Sequence, residues 1–211
     1  WQIGIGLGEL PMHGSFKPSI TVGCHFNEKL YAGFVYQFKD HVQRNESSFN
    51  ANASGLDGLL SSSESVAQRL MYQVRYTPVK YGPYISVGFV YNGEDRETMR
   101  FDDRDRALFG ETSSGTIEIQ QTRPGGGGFA LGLGYQYTFK NGFTAGFEWT
   151  PAWGQMATPN YEFGGTAVLS DDVQTELQMQ MNERYKKSVT NLYKIFHVGV
   201  AYQINYSKNV T

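Results

Sequence analysis

Few ionisable residues lie in those parts of this 211-residue chain where apolar and polar residues alternate. The clearest are Glu148 and Arg75, and Lys39 lies near the end of a similar segment. All three have the parity of the polar positions, and ions buried in a narrow interior need partners of opposite charge. We therefore predict a polar plug in which Glu148 pairs with Arg75 or Lys39, with these further members: Gln37, Gln73, Gln136, His197 and Gln203.

Nucleophilic catalysis by a serine requires a histidine within hydrogen-bonding distance and is often completed by an acid. His13 lies two residues before Ser15, and His197 could meet a serine from one of the long connections. No third member of a triad can be placed, and a spacing of two residues arises easily by chance. We therefore expect no enzymatic activity.

Potential metal ligands are equally sparse. Cys24 is the single cysteine, which excludes an internal disulfide and a multi-cysteine metal site. His25 and His197 fall near opposite ends of their segments, so they are not expected to share a metal. The acidic run around Asp102 and Asp105 is interrupted by arginines and matches no EF-hand spacing, which favours a self-paired, solvated cluster. No metal and no cofactor is predicted.

The elements that position these residues are strands. Eight segments show the period of two that marks a strand whose faces meet different surroundings, near residues 1–10, 19–26, 30–39, 69–77, 83–92, 128–139, 143–153 and 192–206. Their lengths are close to the ~9–11 residues that a tilted membrane-spanning strand needs. Short turns and long connections alternate between them, and the short ones fall at 27–29, 77–83 and 140–142.

The apolar face of these segments carries no charged residue, whereas the opposite face holds glycine, glutamine, threonine and a few ions. Hydrocarbon favours such an apolar surface, and closure into a barrel pairs the backbone hydrogen-bonding groups. Mean hydropathy is −0.42, and no apolar run approaches the ~20 residues of a spanning helix, which excludes transmembrane helices. We predict an all-β chain with one domain over residues 1–206, an eight-stranded antiparallel up-and-down transmembrane β-barrel.

Aromatic residues concentrate towards both ends of the predicted strands, as the interfacial girdles of membrane barrels do. The ring at the short turns consists of Phe26, Tyr76, Phe139, Phe143 and Tyr202, and the ring at the long connections of Tyr36, Tyr91, Phe129, Trp149 and Trp153. Inward glycines leave room for Tyr31, Tyr84 and Arg75 to cross the lumen, which in eight strands is only wide enough for side chains. A wide water-filled channel is therefore not expected.

This pattern resembles the small eight-stranded outer-membrane barrels of Gram-negative bacteria, a class that includes OmpX, OmpW and the membrane domain of OmpA. The last segment is also similar to their assembly signal, through His197, Gly199, Tyr202 and Ile204. The resemblance implies an integral place in the bacterial outer membrane, contact with its lipid and lipopolysaccharide, and insertion by the barrel-assembly machinery. It also permits the polar cluster to act as an ion-pair gate. Residues 207–211 would then form a periplasmic tail.

Roughly half of the chain lies in long connections, which the resemblance places outside the cell. We hypothesise that the plugged barrel is a structural anchor and that these extracellular loops bind a partner such as another envelope protein. The alternative is a small passive channel for ions or small apolar solutes, as in OmpW, and the third hypothesis is a lipid-modifying outer-membrane enzyme. No nucleic-acid partner is expected, because the pI near 6.1 provides no basic footprint.

Two stretches of the long connections have periodicity of their own. Residues 116–120 alternate and predict a strand that continues a hairpin beyond the membrane. Residues 171–190 fit both alternation and the helical spacing of Val173, Leu177 and Met181. We favour an extended strand for this second stretch.

Overall fold

The structure is a computed structural model that describes residues 1–8, 17–44, 55–79, 82–154, 158–188 and 193–204, with the backbone alone at 44, 184–188 and 193–197. Within these ranges the elements are β1 (Gln2–Leu7), β2 (Pro18–His25), β3 (Leu30–Gln37), β4 (Asp40–Arg44), β5 (Leu59–Val66), β6 (Arg69–Tyr76), β7 (Gly82–Asn92), β8 (Asp95–Phe101), β9 (Arg106–Leu108), β10 (Glu111–Ser113), β11 (Ile117–Arg123), β12 (Gly126–Thr138), β13 (Phe143–Gly154), β14 (Asn160–Gly165), α1 (Asp171–Ser188) and β15 (Tyr193–Gln203). None of the helical residues described here forms a stretch long and apolar enough to cross a membrane.

Eight strands close into an antiparallel barrel in the order β1–β15–β13–β12–β7–β6–β3–β2. The closing pair, β1 and β15, aligns Ile3 with Tyr202 and Leu7 with Val198. Gly142, with a φ of 85°, supplies the left-handed conformation that the tight turn between β12 and β13 requires. The predicted all-β, eight-stranded antiparallel barrel is therefore confirmed.

Several strand ends differ from the predicted bounds. β1 ends at Leu7 and β3 at Gln37, whereas the alternation extended to residues 10 and 39. β12 begins at Gly126, two residues before the predicted start, because its glycines still pair with β7. Residues 9–10, and the predicted strand end and tail at 205–211, lie outside the described residues.

The outer surface of the barrel is apolar on all eight strands. One representative from each strand is 40–64% exposed: Ile5, Val22, Phe34, Tyr72, Phe89, Leu133, Phe147 and Val200. Glycines, polar side chains and a few small or apolar side chains occupy the alternate positions and face the lumen. The large exposed apolar side chains therefore lie outside and the charged ones inside, the reverse of a water-soluble domain.

The predicted aromatic girdle residues are all exposed on this outer surface. At the short-turn end, the rings of Phe143 and Tyr202 are 5.2 Å apart between centroids. At the other end, Trp153 pairs with Phe129 in register. Trp149 lies midway along β13, because this strand continues beyond it to Gly154.

The long connections build a second folded body, which we call the extra-barrel unit. It contains a five-stranded sheet in the order β14–β11–β8–β5–β4, the β9–β10 hairpin and α1. The predicted strand at 116–120 is present as β11, which pairs with β8 and β14. The unit has an apolar core of its own, composed of Leu56, Met99, Phe101, Leu108, Ile117, Ile119, Val173, Leu177 and Met181.

Residues 171–188 form a helix, so the extended strand favoured for this stretch is wrong. The Ser170 hydroxyl accepts a hydrogen bond from the Val173 amide (3.2 Å) and caps the helix, and two aspartates follow in its first turn. Val173, Leu177 and Met181 are buried against the sheet. Helical spacing therefore determines the fold here, because it presents one apolar stripe to a neighbouring core.

Truncation of the buried stripe tests this core. Leu177 is fully buried, so Leu177→Ala should destabilise the extra-barrel unit by about 2–5 kcal/mol. The matched control is Met179→Ala on the same helix, since Met179 is 55% exposed. Limited proteolysis of the detergent-solubilised protein should show faster cleavage within the unit for Leu177→Ala only. Equal cleavage of both variants would contradict the assignment of the buried helix face.

Candidate functional site in the barrel lumen

The carboxylate of Glu148 lies at the centre of a hydrogen-bond network in the lumen, where it is 1% exposed. Its Oε2 accepts hydrogen bonds from Arg75 Nη2 (2.8 Å) and Tyr84 Oη (2.9 Å). Its Oε1 accepts from Ser86 Oγ (2.7 Å) and Thr150 Oγ1 (2.9 Å). Four donors from β6, β7 and β13 therefore converge on one carboxylate.

Two tyrosine rings contact the Arg75 guanidinium. The centroids of the Tyr31 and Tyr84 rings each lie 4.9 Å from Arg75 Cζ, within the range of cation–π attraction. In the amide orientation that satisfies both neighbours, Gln73 donates to Glu148 Oε1 (2.6 Å) and accepts from Arg75 Nη2 (2.6 Å). The opposite charges are thus paired, and both are hydrogen-bonded to the Gln73 amide.

Glycines on β12 create the space for this network. A Cβ on Gly132 would lie 2.2 Å from Ser86 Oγ and 2.9 Å from Glu148 Oε1. A Cβ on Gly134 would lie 2.2 Å from Tyr84 Cζ. Because these inward positions of β12 are glycines, the long side chains of neighbouring strands can cross a narrow lumen.

The structure brings together only some of the residues grouped by sequence. Glu148, Arg75 and Gln73 form the network, whereas Lys39 is exposed and lies beyond the end of β3. The prediction that Lys39 belongs to the lumen cluster is therefore wrong. The reason is that β3 ends at Gln37, so the parity of the strand no longer applies to Lys39.

The remaining predicted members lie at other levels. Gln37 is fully buried towards the long connections, where its Nε2 lies 3.4 Å from the carbonyl of Gly8. Gln136 lines a cavity nearer the short turns. His197 pairs with Glu148 in strand register, but its side chain is not among those that the structure describes. Gln203 pairs with Gln2 on β1.

Tyr31 and Tyr84 cross the lumen as predicted, whereas Ser86 and Thr150 were not among the predicted members of the network. Both are inward-facing residues on the strands that flank Gly132, and they donate to the same carboxylate oxygen. Their parity in the sequence marks them as inward. Which inward hydroxyl reaches Glu148 depends on strand register, and this cannot be derived from alternation alone.

Towards the long connections, inward apolar side chains of β3, β6, β7, β12 and β13 pack together. They are Val35, Met71, Val90, Ala130 and Ala152, and each is at most 2% exposed. On the short-turn side of the ion pair, a small cavity of about 30 Å³ is bounded by residues that include Gln2, Thr21 and Arg75. This volume holds about one or two water molecules.

The other candidate chemistry finds no assembled site. His13 and Ser15 lie outside the described residues, and no group of three or more potential metal ligands is present within the described ranges. The acidic run in the extra-barrel unit is self-paired, since Arg104 Nε donates to Asp102 Oδ1 at 2.8 Å. These hydrogen bonds from Arg104 hold the pKa of the Asp102 carboxyl below its usual range.

Fold and site together define a closed eight-stranded antiparallel β-barrel with a filled lumen and a folded extra-barrel unit. No model of a known protein family matches the chain, and no curated protein matches it in sequence. Two solved structures from Acinetobacter baumannii resemble it. CarO is 13% identical, with a TM-score of 0.55 over 96% of this chain and 97% of that chain. CarO2 is 11% identical, with a TM-score of 0.56 over 95% and 97%. These likenesses show a shared fold.

The space created by Gly132 can be tested with a single methyl group. Gly132→Ala should displace the Ser86 and Glu148 oxygens and destabilise the barrel by about 1–3 kcal/mol. Gly164→Ala makes the same chemical change where nothing lies within 4 Å and should have little effect. Urea unfolding in detergent, followed by the heat-modifiable mobility of the barrel, measures both. A neutral Gly132→Ala would contradict the close packing of the network.

The ion pair can be tested by a double-mutant cycle. Glu148→Gln leaves the Arg75 guanidinium buried without a counter-charge and should cost about 3–5 kcal/mol of barrel stability. Adding Arg75→Gln removes the second charge and should recover part of this loss, because neither ion then remains unpaired. The same unfolding measurement applies. Strictly additive losses in the double variant would show that the two residues are not coupled.

Proposed function

We propose that this chain is a non-enzymatic integral protein of the bacterial outer membrane. Its barrel would act as a structural anchor, and its extra-barrel unit would bind a partner on the cell surface. The observation that carries this proposal is the division of the molecule into a filled barrel and a second folded core. A chain that served only to conduct would have no need of the second core.

The membrane location is supported by the outer surface of the barrel. Large apolar side chains exposed on every barrel strand would be unstable in water, whereas lipid solvates them. The two CarO structures share this barrel fold. Lipid and lipopolysaccharide would then contact the apolar surface, with the short turns in the periplasm and the extra-barrel unit outside the cell.

Biogenesis by the barrel-assembly machinery is supported by β15. The signal residues follow one another along β15 in the order His197, Gly199 and Tyr202, with Ile204 directly after the strand. Tyr202 and Ile204 are exposed on the outer face of the barrel. β15 is also the strand that closes the barrel against β1. A signal on the last strand is therefore located where closure takes place.

The outward face of the five-stranded sheet is the surface offered to a partner. It carries polar side chains on adjacent strands, among them Arg96, Arg100 and Glu118, and Arg100 Nε donates to Glu118 Oε2 at 2.9 Å. A flat polar face of this kind suits another envelope protein whose own surface supplies hydrogen bonds and charges. The opposite face of the sheet is occupied by the unit's own core.

A passive channel for ions or small apolar solutes is the alternative function. It requires a continuous path through the barrel, whereas the described lumen residues fill it at two levels. A lipid-modifying enzyme has no assembled residues to support it within the described ranges. The anchor is therefore preferred.

Site-specific photo-crosslinking in cells tests partner binding. A photoreactive amino acid in place of Glu162, which is exposed on β14, should give a discrete protein adduct in the outer-membrane fraction. The control places the same amino acid at Leu131, on the apolar outer surface of the barrel, and should give no such adduct. The experiment is repeated with the photoreactive amino acid in place of Arg100, on the same sheet face. If neither Glu162 nor Arg100 gave an adduct, the outward face of the sheet would not be the binding surface. Recovery of the chain outside the membrane fraction would refute the location itself.

A further inference from the structure

The hairpin of β9 and β10 ends in a turn whose residue type conflicts with its backbone. Leu108 pairs with Glu111, so Phe109 and Gly110 are the two turn residues, and their φ angles are 51° and 92°. A two-residue turn with two positive φ angles is normally built from asparagine, aspartate and glycine. Among the described residues Phe109 is the one non-glycine with a positive φ. Strain of this kind in a bulky residue concentrates at functional sites.

The Phe109 side chain does not belong to the core of the extra-barrel unit. It is 37% exposed, and it is neither one of the buried core residues nor one of the described apolar residues packed against them. A Cβ on the neighbouring Gly110 would meet no atom within 4 Å, so open space surrounds the turn. Packing among the described residues therefore does not account for a phenylalanine at this position.

The turn lies at the end of the extra-barrel unit that is furthest from the barrel. β8 follows β7 and runs away from the barrel to Phe101, and Ile117, which pairs with Phe101, begins the return along β11. The hairpin of β9 and β10 is inserted between these two residues. It is therefore the part of the sheet connections most remote from the membrane-spanning strands.

The segment before α1 lies beside this hairpin. Ser113 Oγ donates to the carbonyl of Val168 at 3.4 Å, and Ser170 Oγ donates to Glu111 Oε1 at 2.9 Å. The Val168 side chain is 89% exposed. We call residues 102–114 and 168–172 together the distal tip, and it exposes both the phenylalanine and the valine.

The distal tip combines these apolar side chains with negative charge. It contains six acidic and two basic residues. Both arginines donate to the same carboxylate oxygen, Asp102 Oδ1, from Arg104 Nε at 2.8 Å and from Arg106 Nη2 at 2.6 Å. The other five carboxylate residues are exposed: Asp103, Asp105, Glu111, Asp171 and Asp172. Such a surface repels the phosphates of lipopolysaccharide and attracts a cationic one.

We propose that the distal tip binds a basic protein surface on which an apolar pocket receives Phe109. The exposed carboxylates attract and orient that surface, and the aromatic ring supplies the apolar contact that the centre of an interface needs. The strained turn is then retained because it presents the ring away from the unit's own core. This inference rests on the proposed function, in which the extra-barrel unit binds a partner, and it specifies the chemistry of that partner.

Photo-crosslinking of the full chain in cells tests the distal tip. A photoreactive amino acid replaces Thr112, which is exposed on β10 beside the turn. Phe109→Asn should reduce the protein adduct by about ten-fold, because it removes the ring. Asparagine readily adopts the left-handed conformation, so the hairpin is kept. Phe109→Tyr is the matched control and should retain the adduct, because it keeps an aromatic ring.

Two further measurements test the charge of the partner. The crosslinked peptide, identified by mass spectrometry, should be basic, and Asp103→Lys should also weaken the adduct, because it reverses an exposed charge outside the turn. Limited proteolysis should cleave Phe109→Asn no faster than the unaltered protein. Should that variant be cleaved faster, Asp103→Lys decides the matter by itself.

The outcomes separate this proposal from the proposed function. An unchanged adduct in a folded Phe109→Asn variant or in Asp103→Lys would overturn the proposal, and so would an acidic crosslinked peptide. An adduct with lipopolysaccharide or with a second copy of the chain would overturn it as well. An adduct at Glu162 without one at Thr112 would refute the distal tip and leave partner binding in place. Absence of adducts at Thr112, Glu162 and Arg100 would refute partner binding itself.

Discussion

Closure of the hydrogen-bond ladder between β1 and β15 is the constraint on which the rest of this structure depends. An open sheet would leave strand edges unpaired, which hydrocarbon does not tolerate. Once eight strands close, their alternate side chains must face either lipid or a narrow interior. The apolar outside follows from the first requirement, and the need for self-complementary polar groups inside follows from the second.

The interior meets this need by combining glycine with long side chains. Gly132 and Gly134 admit the Glu148 network and the Tyr84 ring, so that one carboxylate is satisfied by donors from three strands. A buried ion pair by itself is weak evidence for stability, because desolvation opposes the attraction. Here hydroxyl and amide donors replace the water that Glu148 loses, and the Gln73 amide oxygen accepts from Arg75. The lumen is thereby filled by matched groups.

Outside the barrel, the apolar side chains point inward and the polar ones outward. The extra-barrel unit turns its apolar residues inward, and Leu177 and Met99 are fully buried in its core. Its polar sheet face and the exposed surface of α1 are suited to water. This change of burial pattern from β7 to β8 and from β11 to β12 marks the boundary between the barrel and the extra-barrel unit. A binding role for the unit and an anchoring role for the barrel are consistent with that boundary.

The number of barrel strands and their apolar faces were determined by the sequence alone, because alternation is a local pattern. Trp149, by contrast, lies midway along β13 and not at its end. Tertiary structure decided which inward residues meet. Glu148 pairs with Arg75, while Lys39 remains exposed because β3 ends before it. Only long-range packing made residues 171–188 a helix, since both periods were present and the neighbouring core selected the stripe of Val173, Leu177 and Met181. The assembly of three long connections into one sheet was likewise invisible, because register between distant segments leaves no local pattern.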